Sequence, residues 1–175
     1  MSSFSLPVGD PFVPPSQWSR LRDLEVDLQS GVKTTRLFNI FSDVGLASVE
    51  RLSISGNDPI RFNPTSLPGM PNLTKFLVSG MVWFHGALRY LPWNQITHLS
   101  STRYKMHIAD WRSLIRKCTS LRHGSFMIGA GTSLQENIGT NTSVSLLHLL
   151  SLKIVFAAKG GWSILSGLSF PLSSL

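Results

Sequence analysis

The sequence predicts an α/β solenoid: a curved parallel sheet of about six to seven short strands, with helices or irregular turns returning the chain over the convex side. Two observations predict it. The first is a pattern, apolar-x-x-apolar-x-apolar, that recurs through the 175 residues. It appears as Leu21, Leu24, Val26; Val49, Leu52, Ile54; Leu73, Phe76, Val78; Ile96, Leu99, Ser101; Leu121, Gly124, Phe126; and Leu149, Leu152, Ile154, and it starts again at Leu172, Leu175. The second is its interval. Successive first positions are 28, 24, 23, 25, 28 and 23 residues apart, within the leucine-rich-repeat range of about 20 to 29. Composition agrees, because 26 Ser and 25 Leu suit a regular Leu-based core faced by small hydroxyls. With 42% hydrophobic and 14% charged residues, general disorder is excluded.

Each element follows from the spacing. The first apolar residue of a copy enters the core ahead of a short strand, and the next two, being two apart, point to one face of it. Strands are therefore expected around Leu24, Leu52, Phe76, Leu99, Gly124 and Leu152. Leu37, Phe38, Ile40 and Phe41 supply bulk for the first return. Thr65 to Pro71, with prolines at 64, 68 and 71, predicts an irregular connection, since proline removes amide donors. Asp110 can cap a helix that places Trp111, Leu114, Ile115 and Cys118 on one face. Val144, Leu147 and Leu150, and Trp162, Leu165 and Leu168 after Gly160-Gly161, predict two further helical returns. The usual Asn after the strand is missing, with only Asn57 close to it, which marks a divergent repeat. An ordinary α/β domain of alternating strands and helices is the alternative. The organisation read from this is a Pro/Ser-rich extension over 1–17 and a repeat array over 18–175, cut off within a strand pattern at Leu175.

A formal charge of +7 and a pI near 10.2 permit an acidic partner without forming a polybasic tail. Cys118 is the single cysteine, which excludes an intramolecular disulfide framework and a Cys-rich zinc site. No secretion signal is read in Met1 to Pro15, where four prolines interrupt the chain. The most apolar stretch, Val144 to Ala158, is shorter than the ~20 residues that span a bilayer. Cytosol or nucleus, with no membrane partner, is the expected location.

Two stretches carry a resemblance. Leu91-Pro92-Trp93-Asn94-Gln95-Ile96-Thr97-His98-Leu99-Ser100 is followed by Trp111-Arg112-Ser113-Leu114-Ile115-Arg116-Lys117-Cys118-Thr119-Ser120-Leu121. Together they resemble the divergent leucine-rich repeats of the large fungal F-box protein family, in which a Leu-Pro-Trp strand motif precedes a helix ending in Cys-x-x-Leu. Leu149 to Ile154 and Phe170 to Leu175 look like later strands of such proteins. The likeness runs from about Trp18 to Leu175. The family's F-box, which docks the Skp-type adaptor, has no room before Trp18, so no adaptor binding is expected from this chain alone. The resemblance implies the substrate-recognition region of a ubiquitin-ligase receptor, or a descendant without the ligase connection.

Material for catalysis is poor, and the reading is that the chain is not an enzyme and takes no cofactor or metal. No G-x-S-x-G, H-E-x-x-H or C-x-x-C occurs. Gly129-Ala130-Gly131 and Gly31-Val32-Lys33-Thr34 lack the glycines of nucleotide loops. His85, His98, His107, His123 and His148 fall at no recognised ligand spacing and read as scattered structural histidines. Cys118 reads as a small buried hydrophobe. Asn72 and Asn141 match the glycosylation pattern but are expected to stay bare.

The functional expectation is a noncatalytic scaffold that binds an unidentified target protein on the concave face. The outward residues run as Asp23, Glu25, Asp27; Arg51, Ser53, Ser55; Lys75, Leu77, Ser79; His98, Ser100, Thr102; His123, Ser125, Met127; and Ser151, Lys153, Val155. The face begins acidic and turns basic. Its candidate binding residues are Asp23, Glu25, Asp27, Arg51, Ser53, Lys75, His98, Ser100, His123 and Lys153, with Asp23 and Arg51 placed for a cross-strand ion pair. A second patch, Arg103, Lys105, Arg112, Arg116, Lys117 and Arg122, offers an alternative as a nucleic-acid or phosphate-binding site. A further alternative is a nonfunctional fragment of a longer F-box protein.

Overall fold

The computed structural model describes residues 3–6, 20–28, 46–61, 69–83, 91–129, 144–157 and 168–169. Its strands are β1 (Ser3–Leu6), β2 (Asp23–Leu28), β3 (Arg51–Arg61), β4 (Lys75–Trp83), β5 (His98–Met106), β6 (His123–Ile128), β7 (Val144–Ser145), β8 (Ser151–Phe156) and β9 (Leu168–Ser169). A short 3-10 helix, Trp93–Gln95, precedes β5, and one α-helix, α1 (Ile108–Lys117), follows it. Seven strands form one sheet in the order β1-β2-β3-β4-β5-β6-β8, every neighbouring pair parallel. Parallel neighbours in sequence order require the chain to return after every strand, so the architecture is the predicted solenoid, with little helix among the described residues.

The register is that of the sequence pattern. Leu24, Leu52, Phe76, Leu99, Gly124 and Leu152 stand opposite one another across six strands, and Val26, Ile54, Val78, Ser101, Phe126 and Ile154 form the next row. The first-position residues Leu21, Val49, Leu73, Ile96 and Leu121 are buried beneath them. Three residues earlier stand Leu46, Met70, Trp93, Cys118 and Leu146, also buried. At each coil the first-position amide donates to the carbonyl three residues back: Val49 to Leu46, Leu73 to Met70, Ile96 to Trp93, Leu121 to Cys118 and Leu149 to Leu146, at 3.1–3.3 Å. The repeat therefore has a fourth apolar position, and Cys118 occupies it.

Two devices join each coil to the one before. Just ahead of β3, β4, β5, β6 and β8, two successive amides share one carbonyl: those of Glu50 and Arg51 on Arg22, Thr74 and Lys75 on Glu50, Thr97 and His98 on Thr74, Arg122 and His123 on Thr97, Leu150 and Ser151 on Arg122, at 2.8–3.2 Å. In the turns, polar side chains reach backward. Ser48 donates to the Leu21 carbonyl, Asn72 to Ala47, Gln95 to Pro71 and Thr119 to Asn94. These groups give turn carbonyls of the earlier coil a protein donor across each coil boundary.

Several expectations are altered. β1 adds a strand within the segment read as an extension, pairing Phe4 with Leu24 and Leu6 with Val26. The cap of α1 is His107, whose Nδ1 accepts from the Ala109 amide at 3.4 Å, and Asp110 lies inside the first turn instead, where its charge complements the helix dipole. The predicted buried face of α1 is confirmed, with Trp111, Leu114, Ile115 and Cys118 all buried. The helix expected through Val144, Leu147 and Leu150 does not form. Val144–Ser145 pairs with Leu168–Ser169 in a two-stranded parallel sheet, and Leu147 and Leu150 are 67% and 72% exposed. Leu146 and Leu149 take the two pre-strand apolar positions, so the repeat turn prevails over helical periodicity there. Leu168 likewise lies in a strand. The returns read at Leu37 to Phe41 and Trp162 to Leu165, the Gly31 loop, His85, Asn141 and the last pattern at Leu172, Leu175 lie outside the described residues.

The weak fourth copy leaves a buried mark. Ser101 is 2% exposed between Val78 and Phe126 in the inner row, and its hydroxyl has no hydrogen-bond partner among the described residues. An unsatisfied buried hydroxyl costs about 1–3 kcal/mol, partly offset here by its packing. Ser101→Ala is expected to raise stability by about 1 kcal/mol, seen as a higher urea midpoint at unchanged m-value. A lower midpoint would mean the hydroxyl is satisfied in solution.

Candidate functional site

Alternation along the strands turns the remaining residues out of the core. In the first outward row Asp23, Arg51, Lys75, His98, His123 and Ser151 are consecutive register partners. In the second stand Glu25, Ser53, Leu77, Ser100, Ser125 and Lys153. Asp27, Ser55 and Ser79 begin a third. All ten candidate residues thus share one sheet face, with rungs about 4.8 Å apart. Glu25, Asp27, Arg51, Lys75 and Lys153 are exposed, while Asp23, Ser53, His98, Ser100 and His123 are half-buried by their neighbours.

Local contacts set the charge pattern. Asp23 and Arg51 are side by side, but the ion pair expected between them does not form. An ion pair forms instead between Arg22 and Glu50, one position ahead of the strands. Ser55 donates to Asp27 at 2.8 Å, and the acidic end, Asp23, Glu25 and Asp27, lies entirely on β2. Strands β4, β5, β6 and β8 contain no Asp or Glu, so the face has separate acidic and basic parts.

Two of the histidines are brought together, although all five read as scattered in the sequence. His98 and His123 are register partners, and their rings stack with centroids 4.5 Å apart and 29° between planes. Thr97 contacts His98 Nδ1 at 2.9 Å, and Ser151 contacts His123 Nδ1 at 2.9 Å. Partial burial, followed by the nearby charges of His123, Lys75 and Arg122, holds the His98 pKa below its ordinary 6.5. The pair had a signal in the sequence: the two residues are 25 positions apart, the same interval as Ile96 to Leu121.

The second predicted patch is divided by the fold. Arg112 and Arg116 share the outer face of α1 one turn apart, with Lys117 beside them. Lys105 pairs with Met127 at the far end of β5, whereas Arg122 precedes β6. Five strand residues separate those levels, roughly 16 Å at ~3.3 Å per residue. The side chain of Arg103 lies outside the described residues.

Cys118 is fully buried, and burial pushes its thiol up to about 12, with Lys117 pulling weakly the other way. A thiol so placed is protonated at neutral pH and packs as an apolar group. Among the described residues no three His, Cys, Asp or Glu side chains gather as metal ligands. No described helix is long and apolar enough to cross a membrane. Comparison with protein-family models, with curated proteins and with solved structures found no match.

Proposed function

We propose that the chain is a noncatalytic scaffold that binds another protein on the open face of its sheet, in the manner of the substrate-recognition region of an F-box receptor. The observation that carries this reading is the face itself. Over their first four residues six strands keep one register and present rows of charged and hydroxyl side chains, acidic at Asp23 and Glu25 and basic at Arg51, Lys75 and Lys153. Repeat solenoids bind extended partners on such surfaces, and divided charge fixes a partner's orientation and speeds its encounter. The hydroxyls of Ser53, Ser100 and Ser125 between the charged groups suit polar peptide groups. A cytosolic or nuclear setting accords with a free, buried thiol at Cys118.

The test reverses the acidic end. Asp23→Lys, Glu25→Lys and Asp27→Lys together are expected to leave circular dichroism unchanged, since none of the three belongs to the core. The association rate of a partner, once cross-linked and identified, is expected to fall roughly tenfold at low salt, with the deficit shrinking as ionic strength rises. Reversal of Arg112, Arg116 and Lys117 on α1 should leave binding unchanged. Loss of binding only in the α1 variant would move recognition to the helical side.

A further inference from the structure

One cluster on the open face has chemistry beyond general docking. The Thr97 hydroxyl has a single proton, which it gives to the Thr74 carbonyl at 3.1 Å. Its 2.9 Å contact with His98 Nδ1 is therefore one in which the ring donates. In the tautomer this donation favours, the neutral ring has its proton on Nδ1 and a lone pair on Nε2. The charged and titratable groups facing it are Lys75 from β4, and Arg122 and His123 from the β6 side, with Arg51 one strand beyond Lys75. Ser100 and Ser125 follow His98 and His123 in the next outward row. A divalent cation is disfavoured here, because Lys75 and Arg122 repel it and no third ligand joins the pair among the described residues. An anion meets the opposite situation at Lys75 and Arg122, and is opposed by the lone pair of His98.

We infer that this row is a proton-coupled carboxylate site: an acidic segment of a protein partner lays Asp or Glu side chains across β4, β5 and β6, and His98 Nε2 takes up a proton from solvent as a carboxylate arrives. Uptake forms one N–H bond, breaks none in the protein, and turns a repelling lone pair into a charge-assisted donor. The inference rests on reading this face as a docking surface and specifies what part of it recognises. The empty site keeps His98 neutral at pH 7, held so by burial and its cationic neighbours, while a bound carboxylate raises its midpoint. The complex therefore binds more protons than the free protein, and affinity rises as pH falls through the interval between the two midpoints, by at most about tenfold per pH unit for one proton.

The experiment titrates the whole chain with a glutamate-rich peptide carrying lysines at one end, by calorimetry in buffers of different ionisation enthalpy from about pH 5.5 to 8. Expected are tighter binding at lower pH, net uptake of about one proton, and an upward shift of the His98 ring midpoint followed by NMR. His98→Gln keeps a polar side chain at an outward position and should abolish the uptake. Lys75→Ala should weaken binding at every pH and leave the uptake in place. Binding independent of pH, or uptake that survives His98→Gln, would overturn the inference. So would equal affinity for an oligonucleotide of the same charge, or tighter capture of zinc with both histidine midpoints lowered. Failure of the peptide while an identified partner still requires Asp23, Glu25 and Asp27 would remove the inference and leave the docking face standing. Failure of both would remove both.

Discussion

Phe76→Ala is expected to destabilise the protein by about 3–5 kcal/mol. Its ring is fully buried at the middle of the sheet, between Leu52 and Leu99 in the inner row, and meets Trp93 edge-to-face at 5.8 Å and 70°. Truncation removes apolar area from a site whose walls are backbone-fixed strands on both sides, so the cavity cannot close. The loss is a large part of the total stability of ordinary domains, about 5–15 kcal/mol. Its position adds a second effect. Coils in a solenoid contact only their neighbours, and Phe76 joins the β2–β3 side to the β5–β8 side. Urea unfolding followed by circular dichroism is expected to show a lower midpoint and a broadened transition as the two sides uncouple. A loss below about 1 kcal/mol would contradict the register.

Gly124→Leu is expected to destabilise by about 1–3 kcal/mol or more, although leucine is the residue the repeat itself favours at that position. A Cβ at Gly124 would lie 2.8 Å from Phe126 Cε2, 3.0 Å from Leu152 Cδ1 and 3.5 Å from Leu121 Cδ2. The Phe126 ring has taken the room that leucine fills elsewhere, and it packs edge-to-face on Trp111 at 6.1 Å, so it cannot swing away without disturbing α1. Gly124→Leu with Phe126→Val recreates the Leu-x-Val arrangement of Leu24 and Val26. The double variant is expected to recover at least half of the stability lost by the first change, a coupling available only to residues in contact. Simple addition of the two losses would show that glycine is required for another reason.

The sheet was legible because a solenoid repeats its core: one apolar rule, stated once, places Leu24, Leu52, Phe76, Leu99 and Leu152 without knowledge of the returns. The same rule matches Met1, Phe4 and Leu6, but Pro7, Pro11, Pro14 and Pro15 follow it, a pattern that reads as an extension because proline removes amide donors. The Gly124 copy read as weakened because the compensation lies two residues on, in the size of Phe126. Periodicity failed at Val144, Leu147 and Leu150, where two leucines were already claimed by the turn. Site residues divided along similar lines. Outward positions on the strands followed directly from the register. The outward rows put both histidines on one face, but their stacking went unread because ligand-spacing rules count along local chain, whereas a solenoid brings together residues one coil apart. For the opposite reason the basic run at 103–122 looked like one patch: nearness in sequence there spans a full return of the chain, from the end of β5 to the start of β6.

The shared-carbonyl contacts also have a sense of direction. In every case the acceptor belongs to the earlier coil and the paired amides to the later one, from Arg22 through Glu50, Thr74, Thr97 and Arg122. Ser48, Asn72, Gln95 and Thr119 donate backward in the same sense. Each coil therefore takes its turn acceptors from the coil before it and offers its own carbonyls to the coil after it, so the two faces of a coil are not interchangeable: one presents donors to its neighbour and the other presents acceptors.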